Sequence, residues 1–415
     1  MSAGHYPGVM ESAGEPRKRM FTWLWGPAFV AAVAYVDPGN VAANLTSGAR
    51  FGYRLIWVLV VANLIAMVVQ YLSAKLGLVS GRSLAELLGE RLGRVPRILF
   101  FAQAEIVVIA TDLAEVIGGA IALQILFHLP LVIGGVIVGL VSLGLLSVQS
   151  TRGQRSFEYT VIGLLVIIAV GFAAGLVGVD VHWGQAASGL VPSFSGAGSV
   201  LLAASMLGAT VMPHAVYVHS SLALDRRGLT GGEQLPRVLA STRLEVFASM
   251  LLAGGINIAM LVLAAAALPG ASGTDSIFGA HAVIAAKLGD VFGVLFAIGL
   301  LASGLASTSV GAYAGVTITQ GLLKVRVPVV VMRVITLIPA LAILAVGVNP
   351  TWALVLSQVV LSFGLPFALV PLVLLSGGRL LGKYANTRVV SVVAWGAVAV
   401  VVALNVLLVW LTIKG

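Results

Sequence analysis

Long apolar segments separated by short polar connections are the feature that most limits what this chain can fold into. Of its 415 residues, 59% are hydrophobic and 9% are charged. A soluble domain carries about 25% charged side chains, so this chain has too few polar groups to cover a surface exposed to water. A spanning helix needs roughly 20 mostly apolar residues. The sequence therefore predicts an all-α polytopic membrane protein without a large soluble domain.

Eleven segments are apolar enough to span a bilayer. They lie at 25–48, 53–77, 97–127, 129–148, 157–178, 197–224, 243–268, 290–321, 329–346, 351–375 and 389–412. We predict an N-terminal tail (1–24), a first unit of five helices (25–178), a second unit of five (197–375) and an eleventh helix (389–412). No small-residue cleavage site follows the first segment, which favours a retained helix over a signal peptide.

The basic residues alternate between the two sides of this arrangement. Twenty of the 24 Lys and Arg fall in the tail and in every second connection, while Arg50, Arg54, Lys287 and Lys414 fall on the other side. Basic residues accumulate on the cytoplasmic side of membrane proteins. We therefore expect a cytoplasmic N-terminus and an external C-terminus. Topology accounts for the net charge of +9, and no nucleic-acid partner is needed.

Two of the apolar segments contain helix-breaking residues near their middle. The first reads Asp37-Pro38-Gly39-Asn40 and the sixth reads 208–214, Gly-Ala-Thr-Val-Met-Pro-His. Proline removes a backbone donor and clashes with the preceding turn, and glycine favours helix poorly. Because the two segments lie five helices apart, an odd number, the two units would have opposite orientations. The pattern predicts an inverted repeat.

Irregular backbone at membrane depth is tolerated where it lines a cavity, and paired breaks indicate a transporter binding site. Asp37 offers an acid, Asn40 a neutral oxygen, Ala34 and Ala209 backbone carbonyls, and Met212 a thioether. A methionine in a membrane helix is more often a packing residue, but this one stands inside a break. Mixed oxygen and sulfur ligands favour transition metals over Mg²⁺ or Ca²⁺.

The third segment carries Glu105, Asp112 and Glu115, spaced by seven and three residues. A helix places all three on one face. Acids inside a membrane segment indicate function by default, and a proton relay is the obvious use. The alternative is that basic partners neutralise them and lock the helices together. His214, two residues after Met212, would face away from a metal held there; it can tune proton transfer or be a neutral hydrogen-bonded histidine.

These motifs resemble the signature of the Nramp family of divalent metal transporters. Asp-Pro-Gly-Asn in the first segment and Met-Pro-His in the sixth carry the resemblance, and the third segment and Gln358 are similar as well. It implies a LeuT-like fold of two inverted five-helix repeats plus an eleventh helix, and import of Mn²⁺ or Fe²⁺ with protons. It also implies the following site residues. The metal ligands would be Asp37, Asn40, Met212 and the carbonyl of Ala209, joined in some conformations by the Ala34 carbonyl and Gln358; the proton route would include Asp112, Glu115 and Arg333.

Electrostatics suggest how metal and proton movements are coupled. Burial in a low dielectric favours a protonated Asp37, whereas an arriving divalent cation favours the carboxylate and expels the proton. Asp112 is the natural acceptor. One carboxylate facing a doubly charged ion makes a modest site, which suits an ion that must also leave.

Two other classes of protein fit the sequence less well. A sodium-coupled amino-acid transporter would need backbone donors for a carboxylate at the first break, where an acid would repel it. An intramembrane hydrolase would need a motif such as His-Glu-x-x-His, and no His in the chain is followed by Glu. We therefore expect a transporter without a resident cofactor and not an enzyme. Short cytoplasmic loops, a minimal tail and frequent Ala, Val and Arg suggest a bacterial inner membrane, and we expect the protein to be monomeric.

Overall fold

The computed structural model describes residues 27–152, 154–229, 234–269, 273 and 276–414, and within these ranges it contains helices and turns but no strand. The expected tail, 1–24, lies outside the described residues. Each apolar segment of the sequence coincides with helix. The first and sixth segments are each divided into two helices, which agrees with the breaks that the sequence predicts.

The helices are numbered in chain order. In the first half they are α1 (Pro27–Ala34), α2 (Pro38–Phe51), α3 (Ile56–Ser80), α4 (Leu84–Arg91), α5 (Arg94–Phe127), α6 (Leu131–Arg152), α7 (Gln154–Ala173) and α8 (Trp183–Ser188). In the second half they are α9 (Ala197–Thr210), α10 (Pro213–Leu229), α11 (Leu235–Ala267), α12 (Ile277–Leu288), α13 (Asp290–Leu323), α14 (Val329–Val346), α15 (Pro350–Gly377) and α16 (Arg388–Lys414).

Within the described residues, eight helical stretches are long and apolar enough to cross a membrane. One of these stretches contains both α2 and α3, which are joined by a short 3-10 helix. The apolar parts of α6, α12 and α14 are shorter. The small helices α4 and α8 lie in connections, and α4 begins with a capping box formed by Ser83 and Glu86. The chain is therefore a polytopic membrane protein.

Glycines allow the helices around the two breaks to approach closely. A Cβ at Gly118 of α5 would lie 2.0 Å from the Cβ of Pro38, at the start of α2. A Cβ at Gly208 of α9 would lie 2.0 Å from the carbonyl oxygen of Gln358 in α15. Small residues at helix contacts are how membrane helices pack tightly. These contacts place α2, α5, α9 and α15 around one point.

A side-chain pair joins α15 to the last helix, α16. Pro366 lies inside α15 and has no N–H to donate to the carbonyl of Ser362, four residues earlier. Asn405 of α16 supplies the missing donor, because its Nδ2 lies 2.8 Å from that carbonyl, while Ser362 Oγ donates to Asn405 Oδ1 at 2.7 Å. A buried backbone acceptor is thereby satisfied by a side chain.

Candidate metal centre

The first break begins where α1 ends at Ala34 and lasts until α2 begins at Pro38. Asp37 caps α2 with extended backbone angles, φ −81° and ψ 169°. Its Oδ1 accepts a hydrogen bond from the backbone N–H of Asn40 at 2.7 Å. Aspartate is a favoured residue at this position because it satisfies an N–H that the helix leaves free. The sequence therefore places a carboxylate at a helix start inside the membrane.

The second break lies between Thr210, where α9 ends, and Pro213, where α10 begins. Val211 has φ −110° and ψ 67°, which is not helical, and its N–H still donates to the carbonyl of Leu207 at 2.8 Å. Met212 follows and is fully buried. The unwound stretch is therefore only two residues long, and one of them is the methionine that the sequence singles out.

The two prolines release equivalent carbonyl oxygens. In an α-helix the carbonyl of residue i accepts from the N–H of residue i+4. Residue i+4 is Pro38 for Ala34 and Pro213 for Ala209. Neither proline has an N–H. Each break therefore presents an alanine carbonyl that its own helix cannot satisfy.

Other carbonyls of the first break are satisfied by distant side chains. Asn257 Nδ2 of α11 donates to the carbonyl of Tyr35 at 2.7 Å, and Ser303 Oγ of α13 donates to that of Val36 at 2.6 Å. These residues lie 222 and 267 positions from their partners, and no local sequence signal could have revealed them. They hold the unwound backbone open in a fixed conformation.

Asn40 joins the two breaks. Its Nδ2 donates to Asp37 Oδ1 at 2.7 Å and to the carbonyl of Ala209 at 3.0 Å. On the far side of the carboxylate, Gln358 Nε2 lies 3.3 Å from Asp37 Oδ2. These four residues are all fully buried, and the Oε1 of Gln358 has no hydrogen-bond partner. Four of the six expected ligands thus lie in one hydrogen-bonded group.

Glycines at both breaks admit Gln358 to this group. A Cβ at Gly39 would lie 1.9 Å from Gln358 Nε2, and the Gly208 position is equally close to the Gln358 backbone. Any larger residue at Gly39 would push the amide away from Asp37. The glycine of Asp-Pro-Gly-Asn is therefore required by a neighbouring helix as well as by the break.

The remaining two expected ligands are buried within the breaks without a hydrogen bond to the group. Ala34 ends α1 and Met212 precedes Pro213, and both have no exposed surface. Within the described ranges, no three His, Asp or Glu side chains cluster in a way that could hold a metal. A metal at the breaks would consequently be bound by one carboxylate and neutral donors, the set that the sequence predicts.

The expected proton-route acids lie on one continuous helix, α5. Asp112 forms a buried ion pair with Arg333 of α14. Glu115 is fully buried, and neither of its carboxylate oxygens has a hydrogen-bond partner. Glu105 is partly exposed, with one oxygen buried and unpartnered. Arg333 pairs directly with Asp112 and also interacts electrostatically with Glu115, so one buried cation faces two buried acids.

Thr111 connects the acids of α5 to the second break, and sequence reasoning missed it. Its hydroxyl donates to the carbonyl of Val107 at 3.0 Å and lies 3.1 Å from His214 Nδ1. The Nδ1 side of the His214 ring is thus held by a hydrogen bond, whose direction depends on the tautomer of the ring. Its buried Nε2 then has no partner. His214 is a hydrogen-bonded histidine whose partner, Thr111, precedes Asp112 in the chain.

A second group of polar contacts lies on the other side of the first break. His219 Nδ1 lies 2.7 Å from Gln70 Oε1, and the amide of Gln70 donates to the Tyr35 hydroxyl. The first of these hydrogen bonds joins α10 to α3. Together they tie the unwound backbone of the first break to α3 and α10.

Two broken helices that meet at a buried carboxylate, inside a bundle of membrane-spanning helices, define the class of secondary transporters. Comparisons with known proteins agree. The Nramp family model, described as natural resistance-associated macrophage protein-like, matches residues 28–411. The divalent metal cation transporter MntH of Mycobacterium tuberculosis H37Rv is 57% identical over 411 residues, covering 98% of this chain and 96% of the relative. The chain belongs to the Nramp family and is a metal transporter, not an enzyme.

Solved structures give the same fold. A manganese transporter of Eremococcus coleocola has a TM-score of 0.84 and 30% identity, covering 96% of this chain and 88% of its own. MhsT, solved with L-phenylalanine, has a TM-score of 0.59 at 16% identity, covering 91% of this chain and 98% of its own. The second likeness concerns the fold alone. The chain has the LeuT-like fold and is all-helical where the structure describes it.

Proposed function

We propose that this protein imports Mn²⁺, and also Fe²⁺, together with protons by alternating access, and that the metal binds between the two broken helices. The observation that carries the proposal is the hydrogen-bonded group of Asp37, Asn40 and the Ala209 carbonyl, where the breaks meet. The names of its relatives, a divalent metal cation transporter and a manganese transporter, support the choice of metal.

The ligands would be the carboxylate of Asp37, the amide oxygen of Asn40, the carbonyl of Ala209 and the thioether of Met212. Gln358 and the Ala34 carbonyl would join in some conformations. The Asn40 amide now donates to both Asp37 and Ala209. It must therefore rotate to present its oxygen, which frees both acceptors for the metal at the same moment.

The donor set explains the preference for transition metals. Ca²⁺ takes six to eight oxygen ligands and Mg²⁺ keeps several waters, whereas a thioether suits softer ions. A single carboxylate leaves a net charge of +1 at the loaded centre. That charge favours release once the surroundings open, as transport requires.

The proton would leave Asp37 when metal arrives and move to the acids of α5. Asp112, paired with Arg333, would be the acceptor, assisted by Glu115, and Glu105 would extend the route. The Thr111–His214 contact supports a connection between the second break and Asp112.

The protein would act as a monomer in a bacterial inner membrane, with a cytoplasmic N-terminus and an external C-terminus. Residues 25–178 and 197–375 would be the two inverted repeats, followed by the helix 389–412. The positive-inside distribution of Lys and Arg supports this orientation.

Uptake of Mn²⁺ into liposomes that contain the purified protein tests the proposal. Uptake should rise when an inward proton gradient is imposed and fall when it is removed. Asp37→Asn should abolish uptake, while Asp180→Asn, the same change at an exposed position, should leave it intact. Uptake that ignores the gradient would refute proton co-transport, and uptake by Asp37→Asn would refute the site.

A further inference from the structure

The face of α2 that carries Asn40 continues with two more polar side chains, Asn44 and Ser47. Their spacing of four and three residues keeps all three within an arc of about 60° on the helix. All three side chains are fully buried. Asn40 contacts the carbonyl of Ala209 in α9 at 3.0 Å and Asn44 contacts Asn257 of α11 at 2.9 Å, so this face of α2 lies against both helices.

A second thioether stands on the opposite helix. Met206 lies on α9 three residues before Ala209, and Ser47 Oγ is 3.1 Å from its Sδ. Side chains on a helix lean towards its N-terminus, so Met206 reaches away from the break, along α2. A hydroxyl and a sulfur therefore face each other beyond the central residues, and both are buried.

Asn44 lies between Asn40 and Ser47 along α2, and its side-chain oxygen accepts no hydrogen bond. Its Nδ2 donates to Asn257 Oδ1 at 2.9 Å, whereas its Oδ1 is buried without any hydrogen-bond partner. A buried polar atom that lacks a partner is energetically unfavourable, and in a native structure it needs an explanation. A passing cation would supply the missing interaction.

We propose that Asn44, Ser47 and Met206 form a second, weaker binding site for transition-metal cations. This proposal rests on the proposed function, since the site would load the central one. It offers an amide oxygen, a hydroxyl and a thioether, and it lacks a carboxylate. Without a compensating charge it holds a divalent cation loosely. Along α2 it lies about 6–11 Å from Asn40, towards the end of α2 at Phe51, which is the external end in the proposed orientation.

In this arrangement a cation that enters from the outside binds the second site before it reaches the central residues. Cations with affinity for sulfur lose part of their hydration shell at Met206 before they reach Met212. Because the two sites use the same kinds of donor, selection against Ca²⁺ and Mg²⁺ occurs twice. The neutral site also leaves the proton chemistry of Asp37 untouched until the cation moves inward.

Equilibrium binding of Cd²⁺ to the purified full-length protein tests the second site without relying on transport. In Asp37→Asn, which weakens the central site, one weak Cd²⁺ should still bind. Adding Met206→Leu should remove it, whereas adding Met250→Leu, a change at a buried methionine of α11, should not. Absence of the weak Cd²⁺ in Asp37→Asn, or its persistence in the Met206→Leu combination, overturns the proposal.

A gain of affinity provides a readout that misfolding cannot mimic. The chain has no cysteine, so Ser47→Cys introduces a single thiol next to Met206. It should tighten Cd²⁺ binding about tenfold or more, because thiolates are stronger ligands for soft cations than hydroxyls. Ser249→Cys, at another buried serine, is the control. Equal affinities in the two cysteine variants contradict the site.

Transport separates this proposal from the proposed function. In liposomes, Met206→Leu should raise the KM for Cd²⁺ about threefold or more and change the KM for Mn²⁺ less, because Cd²⁺ is softer. A wild-type protein that moves no metal would refute the proposed function. A wild-type protein that moves metal with the same KM values as Met206→Leu would refute the second site alone.

Discussion

Replacing Pro213 by alanine should weaken metal binding although no ligand side chain changes. Alanine restores the N–H that proline lacks, and that N–H is positioned in sequence to donate to the Ala209 carbonyl, four residues earlier. In the structure this carbonyl accepts from Asn40 at 3.0 Å. A backbone donor would compete with Asn40 and with the metal for the same oxygen.

The magnitude follows from the value of one hydrogen bond. An amide–carbonyl bond contributes about 0.5–1.5 kcal/mol net, and a metal that must displace it loses that amount. The Kd for Mn²⁺ should therefore rise about 2- to 13-fold, since each 1.4 kcal/mol is about tenfold. Proline is also about 3 kcal/mol less favourable than alanine in a helix, so closure of the break at Val211 would increase the loss.

Titration calorimetry with Mn²⁺ on the purified protein measures this effect. Pro366→Ala is the matched control, because it restores an N–H opposite the Ser362 carbonyl, which Asn405 already satisfies and which is not an expected ligand. Its Kd should equal that of the wild type. If Pro213→Ala and Pro366→Ala bind Mn²⁺ within a factor of two of each other, the argument from freed carbonyls is wrong.

Three further changes have defined outcomes. Met212→Ala should retain Mn²⁺ uptake in liposomes but let Ca²⁺ compete, because the remaining donors are all oxygens; unchanged discrimination would reject the thioether. Asp112→Asn should uncouple proton flux from Mn²⁺ uptake, measured with an internal pH dye, and flux that still follows uptake would remove Asp112 from the route. Asn405→Ala should lower the unfolding free energy by about 1–3 kcal/mol, measured by denaturation in detergent, because the Ser362 carbonyl loses its donor.

Each of these three changes has a matched control variant. Met250→Ala removes a buried thioether outside the breaks and should leave Ca²⁺ excluded. Glu90→Gln removes an exposed acid and should leave coupling intact. Combining Asn405→Ala with Pro366→Ala returns a donor to the orphaned carbonyl, so the double variant should be more stable than Asn405→Ala alone. A double variant that is less stable than Asn405→Ala would show that the Ser362–Asn405 pair does not stabilise the protein through this carbonyl.

The breaks could be predicted from sequence because their causes are local. Pro38 and Pro213 remove backbone donors wherever they stand in a helix, and the surrounding apolar runs show that these helices cross a membrane. The polar residues next to the prolines were then visible as donors. The predicted segment ends agree with the helix ends within about five residues, except that α11 begins at Leu235, eight residues before the predicted 243, because its polar first turns extend beyond the apolar run.

The contacts that organise the site could not be predicted, because they join residues far apart in the sequence. Thr111 and His214 are 103 positions apart, and Asn257 reaches Tyr35 across 222. The sequence around a threonine or asparagine in a membrane helix does not indicate which distant residue it will contact. The expectation that basic residues neutralise acids of α5 applies to Asp112, whose partner is Arg333. The same arginine also interacts electrostatically with Glu115, although no hydrogen bond joins them.

X-ray absorption of the protein loaded with one equivalent of Cd²⁺ tests the central claim most directly, because it counts sulfur ligands around the bound ion. The account predicts a shell of oxygen neighbours with one sulfur, and loss of that sulfur in Met212→Leu but not in Met250→Leu. A shell of oxygen alone in the wild type, or a sulfur that persists in Met212→Leu, would contradict a metal site formed where the two broken helices meet.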